Sequence, residues 1–470
     1  MISSRKKSFS LPVRIALWSL PVLFVLLVGG FLFLRMWFNA YLESPPFRRM
    51  IGDLTSRQFK ASGEYMPFHF TGTAIYSDAF KAHGTDKAFF SEMDADQIRA
   101  EINLRGLWDH AWEIDGIDVQ RVQISLGHTA GPPAMNDKVE VVPEQSGAPS
   151  KLPFDWLPKR VDLRKVVIRE TNLKWGEKTL QQGAVNGAEL TLTPDGDAWN
   201  ILCDGGKVSQ TGTPDMTIDH ARLRYQRPSL FITEGQLRYG SEGSIAVSGE
   251  VNFDNGLDVQ AKLAGIPVTP FLREDWRAKL KGNIAGDIKI RAPMPLQTAP
   301  QVEGSLSLAQ GELEALPVLD QIATFTRTQR FRKINLSHVS ADFNSSAGKT
   351  TVTKFIAESE GLIRTEGSFT VANSSIDGTF QVGVTPGSLQ WLPGSQARVF
   401  TVSHDGYLWT TVHVTGPVDN PKEDLTPRLV AAAAGAAIDT VQDIIQQVPK
   451  GDLPAVPKKL IDDFVTPLLK

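Results

Sequence analysis

Few side chains in this chain of 470 residues are spaced for catalysis. Asp115 and Asp118 come nearest to a carboxylate pair for acid–base work. In an alternating strand that spacing points them to opposite faces, and Gly116 between them reads as a turn, so turn chemistry accounts for both. His404-Asp405 has the composition of a general base with its orienting acid, yet Gly406 follows directly and the group reads as a turn before a strand at 407–414. There is no H-E-x-x-H, the eight histidines are scattered, and the single cysteine, Cys203, can form neither a zinc pair nor an intramolecular disulfide. Gly-x-Ser-x-Gly and the Walker loop are absent as well. No metal or cofactor is therefore expected, and no enzymatic activity. Trp108, Trp112, Trp156, Trp175, Trp199, Trp276, Trp391 and Trp409 could stack on sugars, but spread along the chain they read more simply as packing residues with one wet N–H.

The elements that carry these residues begin with an uncharged run at 15–34, between Arg14 and Arg35. At helical rise it covers the roughly 30 Å of a bilayer core. Ile15, Leu17, Leu20, Phe24, Leu27, Phe31 and Leu34 are its anchor side chains, with Trp37, Phe38 and Tyr41 at an interface. Arg5, Lys6, Lys7 and Arg14 precede it, so the positive-inside rule leaves residues 1–14 cytoplasmic, 15–38 in the membrane and the bulk of the chain across it. A cleaved signal peptide fits less well, because the run is long and no A-x-A-like site follows. Net charge is −3 with both signs interspersed, and no basic stripe points to nucleic acid.

Beyond the anchor the dominant signal has period two. Ile245, Val247, Gly249, Val251 and Phe253 alternate with Ala246, Ser248, Glu250 and Asn252. Asn255-Gly256 then predicts a tight hairpin turn, after which Leu257, Val259, Ala261 and Leu263 continue the same dry face. Equivalent text recurs along the chain, including Phe369 and Val371 and then Phe380, Val382 and Val384, so a long antiparallel meander is expected. Helical spacing is confined to 44–60, to a single turn near 269–276, to 316–331, and to two C-terminal segments. The first of these runs over 426–448 with Thr426 as N-cap and Pro427 at N1, and the second over 458–469. Gly and Pro mark residues 127–153 as a flexible insertion. The domains read as 39–126 with a leading short helix, 154–300, 301–425, and the helices at 426–470.

A sheet that is apolar on one side must bury it against a second sheet, by closing on itself, or against a ligand in an open groove. Periodicity alone leaves these open. The order of segments resembles the AsmA-like proteins: "ADQIRAEINLRGLW" and "WEIDGIDV" at 95–119 follow the anchor, and "GSLSLAQGELEALPVLDQIATF", "SADFNSSAGKTTVTKF", "GLIRTEGSFTVANSSIDGTFQVGV" and "VTGPVDNPK" fill 304–422. The resemblance implies an elongated, strongly curved antiparallel β-sheet forming an open hydrophobic groove, held in the inner membrane and projecting into the periplasm. It further implies phospholipid transport toward the outer membrane and outer-membrane biogenesis, with phospholipid as ligand and an outer-membrane or other envelope protein as partner. On that reading Val247, Val251, Phe253, Val259, Leu263, Phe369, Val371, Val382 and Val384 line the groove. An extracytoplasmic β-sandwich scaffold or glycan-binding module without a groove is the alternative, and a hydrolase is more remote.

Overall fold

The computed structural model describes residues 32–435 except 34, 38, 73, 86, 87, 89, 104, 107–110, 127–159, 177–181, 295–298, 315–331, 390–393 and 433. The expected anchor side chains Ile15, Leu17, Leu20, Phe24, Leu27, Phe31 and Leu34, the insertion at 127–153, the helix at 316–331 and the segment 458–469 therefore lie outside the described residues. Among those described, no helix is long and apolar enough to cross a membrane. The fold is mainly β, and it divides into two compact units between Gly196 and Asp197.

The first unit opens with helix α1 (Pro45–Phe59). Pro45 stands at its first position, where a missing N–H costs nothing, and Ser44 precedes it. Phe47, Met50 and Ile51 fall on one side and pack with Leu42, Phe68, Ile75, Ile102 and Trp112. Eight strands follow: β1 (Ala61–Tyr65), β2 (Phe68–Thr71), β3 (Ala74–Gly84), β4 (Phe90–Asn103), β5 (Ala111–Leu126), β6 (Arg160–Leu163), β7 (Val166–Trp175) and β8 (Gly183–Asp195). Strands β1 to β5 and β7 to β8 pair antiparallel, but β6 and β7 both run parallel to β5. This corrects the expected all-antiparallel sheet. A parallel pair needs a long connection, and in sequence β5 ends at Leu126 while β6 begins only at Arg160. Register carries one dry row from Phe80 through Ala95, Val122 and Thr171 to Ala188, while Arg121–Glu170 and Arg169–Asp118 pair on the other face.

The second unit is the expected antiparallel meander. Its strands are β9 (Ala198–Asp204), β10 (Lys207–Gln210), β11 (Met216–Gln226), β12 (Ser229–Tyr239), β13 (Gly243–Asn252), β14 (Gly256–Pro267), β15 (Leu280–Pro293), β16 (Gln301–Glu314), β17 (Lys333–Leu336), β18 (His338–Ser346), β19 (Lys349–Ser359), β20 (Ile363–Ala372), β21 (Ser375–Val384), β22 (Val402–His404), β23 (Tyr407–Pro417) and β24 (Lys422–Glu423). Between β14 and β15 the chain makes a 3₁₀ turn (Thr269–Phe271) and a helical turn α2 (Glu274–Arg277), as the sequence predicts. Two further helical turns, α3 (Pro386–Leu389) and α4 (Ser395–Arg398), separate β21 from β22.

The turns follow local chemistry. Ala347-Gly348, Asn373-Ser374 and Asp405-Gly406 all have positive φ at both central positions, the primed geometry that matches strand twist. The last places His404-Asp405-Gly406 in a turn, with the imidazole stacked on Trp409 at 4.6 Å between centroids. The Asn255-Gly256 expectation needs correcting. Asn252 pairs with Gly256 across a three-residue loop, and the Asn252 Oδ1 accepts the backbone N–H groups of Asp254 and Asn255 at 3.1 and 3.0 Å, so Asn252 shapes the turn. Asp115 and Asp118 also differ from expectation, since both sit inside the continuous strand β5. Each meets an arginine, Asp115 with Arg164 at 3.2 Å and Asp118 with Arg169 at 3.0 Å.

Candidate functional site

Strand pairing aligns apolar side chains into rows that cross the second unit. One runs Cys203, Ala221, Gly235, Val247, Ala261, Ile288, Gly304, Phe343, Val352, Phe369, each residue directly opposite the next. A second runs Ile201, Leu223, Ile232, Gly249, Val259, Ile290, Val302 before ending on Ser345 and Thr350, whose hydroxyls bond each other at 2.9 Å. Directly opposite residues share a face, so Val247, Val251, Val259 and Leu263 are brought together as expected. Gly249 adopts φ +143, which only glycine holds comfortably, and a Cβ there would lie 2.3 Å from the Asp258 carbonyl oxygen.

The middle of this dry face carries little cover among the described residues. Val247, Val259, Ile288, Ile290, Val302 and Phe343 are all only half-buried, and none belongs to a cluster of buried side chains. From β11 to β19 the rows take seven strand steps. At 4.7–4.9 Å per step that is about 34 Å, roughly twice the reach of an acyl chain, which fills half of a ~30 Å bilayer core.

Buried side chains bound this face at two places. Where β14 runs into the excursion, Ile266 is 0 % exposed and Val268 7 %. At the last strands, α3, α4 and a helix that begins at Leu425 cover the same face. Val384 at 5 %, Val412 at 5 % and Phe400 pack there with Leu389, Leu425, Leu429 and Ala432. That helix starts one residue before the expected Thr426 cap. The Glu423 carboxylate accepts the Thr426 N–H at 2.9 Å and also the Leu425 N–H, so an acidic group precedes and caps the helix. Arg428 Nη1 donates to the Thr411 carbonyl at 2.6 Å, Asp424 accepts the His413 N–H at 3.0 Å, and β22 and β24 pair with the rest of the β23 edge. The final edge is thus engaged at both ends and at Thr411 and His413 between them.

Of the expected lining residues, Val382 and Val384 share the dry face, but Val384 lies within this packed cluster and Val382 against its rim. Phe253 falls in the loop after β13, its ring 6.3 Å from that of Tyr225. Phe369 joins Phe355 and Phe380 in a group with centroids 5.8–6.0 Å apart. Sequence reading missed this group. Its signal is the facing pairs Gly367–Phe380 and Phe369–Gly378, whose two glycines leave room for the Phe380 ring.

The opposite face is charged. Arg291 bridges Asp258 at 3.3 Å and Glu303 at 2.9 Å, and Lys354 meets Asp342 at 2.8 Å. Burial works against the Asp258 carboxylate, but hydrogen bonds from Lys289 and Arg291 hold it below its ordinary value. Near the β16–β17 end, hydrogen bonds from Lys333 and then Lys281 hold the Glu312 carboxyl down to about 2. A shallow hollow of about 910 Å³ is lined by Lys262, Asp287, Lys289, Glu303, Asp342 and Thr353 together with Val247, Ala261, Ile288 and Phe343 of the first row. No tryptophan lines it. No three His, Cys, Asp or Glu among the described residues are grouped to hold a metal ion. Burial, with Asp204 nearby, pushes the Cys203 thiol up to about 11, far from a nucleophile's range.

No protein family, curated protein or solved structure matches this chain.

Proposed function

We propose that this is a membrane-anchored, periplasmic lipid-binding and transfer protein of the AsmA-like kind, which takes phospholipid acyl chains on the dry face of its second unit and contributes to lipid movement between inner and outer membranes. The observation that carries the reading is the set of aliphatic rows from β11 to β19, half-buried and outside every packed cluster. A contiguous apolar face of this extent marks an interaction surface. Each methylene withdrawn from water onto it contributes about 0.8 kcal/mol, so binding needs no catalytic group. Leu32 and Phe33, at the end of the uncharged run, and Met36, just after it, support the anchor, since these large apolar side chains are exposed.

The test is photo-crosslinking from single positions in the full chain extracted from membranes. Capture of phospholipid from Val251 and Val259 but not from Glu250 and Gln260 is expected, because the two sets lie on opposite faces. Equal labelling from both sets, or capture of protein alone, overturns the reading. The glycan-binding alternative draws on the hollow of about 910 Å³, whose lining includes Lys262, Asp287 and Glu303. Its test is protection of Lys262 from acylation by added oligosaccharide.

A further inference from the structure

One ion pair in the second unit joins places that strand order puts far apart. Arg273, in the excursion between β14 and β15, meets Asp419, in the turn after β23. Hairpin by hairpin, the register puts Pro267 and Leu280 at one end of the strands and Gly256, Pro293, Ser346, Ala372 and Pro417 at the other. Arg273 and Asp419 thus belong to opposite strand ends, and β15 and β23 are six strand steps apart. A twist of 20–25° per step accumulates to roughly 120–150° over that distance, which turns the far end of β23 back toward the near end of β15.

The pair closes on the dry side. Tyr239 continues the dry register of Leu237, and its ring lies 6.3 Å from that of Phe271 in the excursion. The turn bearing Asp419 feeds the chain into the helix that covers Val412 and Val384 on the same face. The excursion is braced internally by Arg277 Nε, which donates to the Leu272 carbonyl at 2.9 Å, and by Lys279, which lies 5.7 Å from the Trp276 ring centroid. Arg273 and Asp419 are themselves 59 % and 63 % exposed. An exposed pair of this kind holds weakly and is screened by salt, so the contact opens easily.

We infer that Arg273 and Asp419 form a clasp across the aliphatic face, and that its opening admits and releases acyl chains. The inference rests on the lipid reading above and deepens it.

The experiment replaces both residues with cysteine in the full chain (Arg273→Cys with Asp419→Cys) and joins them with a short bis-maleimide. Cys203 is buried and its thiol poorly ionised, so it does not compete. Uptake of a fluorescent phospholipid from phosphatidylglycerol vesicles is then timed with the clasp joined and unjoined. Joining is expected to slow uptake at least tenfold. In the otherwise native chain uptake should quicken with added salt, and in Arg273→Ala this salt dependence should vanish. Equal rates for the joined and unjoined proteins overturn the clasp and leave lipid binding intact. No uptake by the native chain overturns the lipid reading, and the clasp with it.

Discussion

Placing one carboxylate on each part of the dry face tests whether the proposed ligand floor differs from a packed core. Val412 is 5 % exposed beneath the C-terminal helix, among Val384, Phe400 and Leu429. Val412→Asp forfeits about 1.5–3 kcal/mol of side-chain burial and adds several more for a carboxylate with no partner. The sum, on the order of 5 kcal/mol, approaches the whole stability of an ordinary domain. Val259 lies in the half-buried row outside any packed cluster, so Val259→Asp is expected to cost only about 1 kcal/mol in lipid-free protein. Its main effect should be on lipid capture. Because regions of one unit can open independently, hydrogen exchange in urea should be followed separately for peptides of β13–β15 and β21–β23. The carboxyl introduced at 412 has a folded pKa raised by burial. Its penalty is therefore greatest at neutral pH and shrinks as pH falls through that raised value. Equal losses from the two substitutions would mean that the central rows are covered by protein as fully as Val412, and the argument for an open floor would collapse.

Further outcomes follow from single contacts. Glu312, depressed to about 2 by Lys333 and Lys281, should stabilise the β16–β17 end fully above its unfolded pKa near 4.5 and lose that contribution as pH falls toward 2. In acid titrations Glu312→Gln should flatten this limb by lowering stability at neutral pH toward the value the native protein has near pH 2. Arg428→Ala removes the donor to the Thr411 carbonyl and should cost about 1–2 kcal/mol, read as faster amide exchange in 425–432 with β13–β15 unaffected. Gly249→Ala forces a Cβ against the Asp258 carbonyl and should destabilise the β13–β14 pair by about 1–3 kcal/mol in urea unfolding. Native Cys203 should react with a disulfide reagent at pH 8 far more slowly than it does in urea.

How much of this was legible in the sequence depended on the range of the signal. Strict alternation fixed which residues of β13 and β14 share a face, because side-chain period in a strand is two whatever the strand pairs with. The helix at 45–59 was legible for the same local reason, a proline start followed by apolar residues at helical spacing. Alternation carries no information about strand direction, however, and so the parallel pairing of β5 with β7 was invisible. The hairpin at 252–256 failed more subtly. Asn255-Gly256 has the composition of a two-residue turn, but Asn252 can accept two backbone N–H groups and so selects a longer loop.

The candidate site divides along the same line. Its floor was readable residue by residue, whereas its limits were not, because they arise from twist summed over many strands and from chain returning after the last one. Val384 shows the difference. By pattern it is equivalent to Val259, but α3, α4 and the helix after β24 are laid over its end of the sheet, so one valine packs in a core and the other stays half-open. The same periodic text can therefore encode a packed core or a half-buried face, and what decides between them is whether the chain later supplies a helix to cover it. For β20–β23 residues 425–432 do so, and the polar pins at Arg428, Asp424 and Glu423 fix where that cover begins. If those pins set the boundary of the floor, then loosening them should lengthen it. Arg428→Ala should thus extend lipid capture from Val259 to Val412, and a Val412 position that stays silent while 425–432 exchanges freely would show that the floor ends for some other reason.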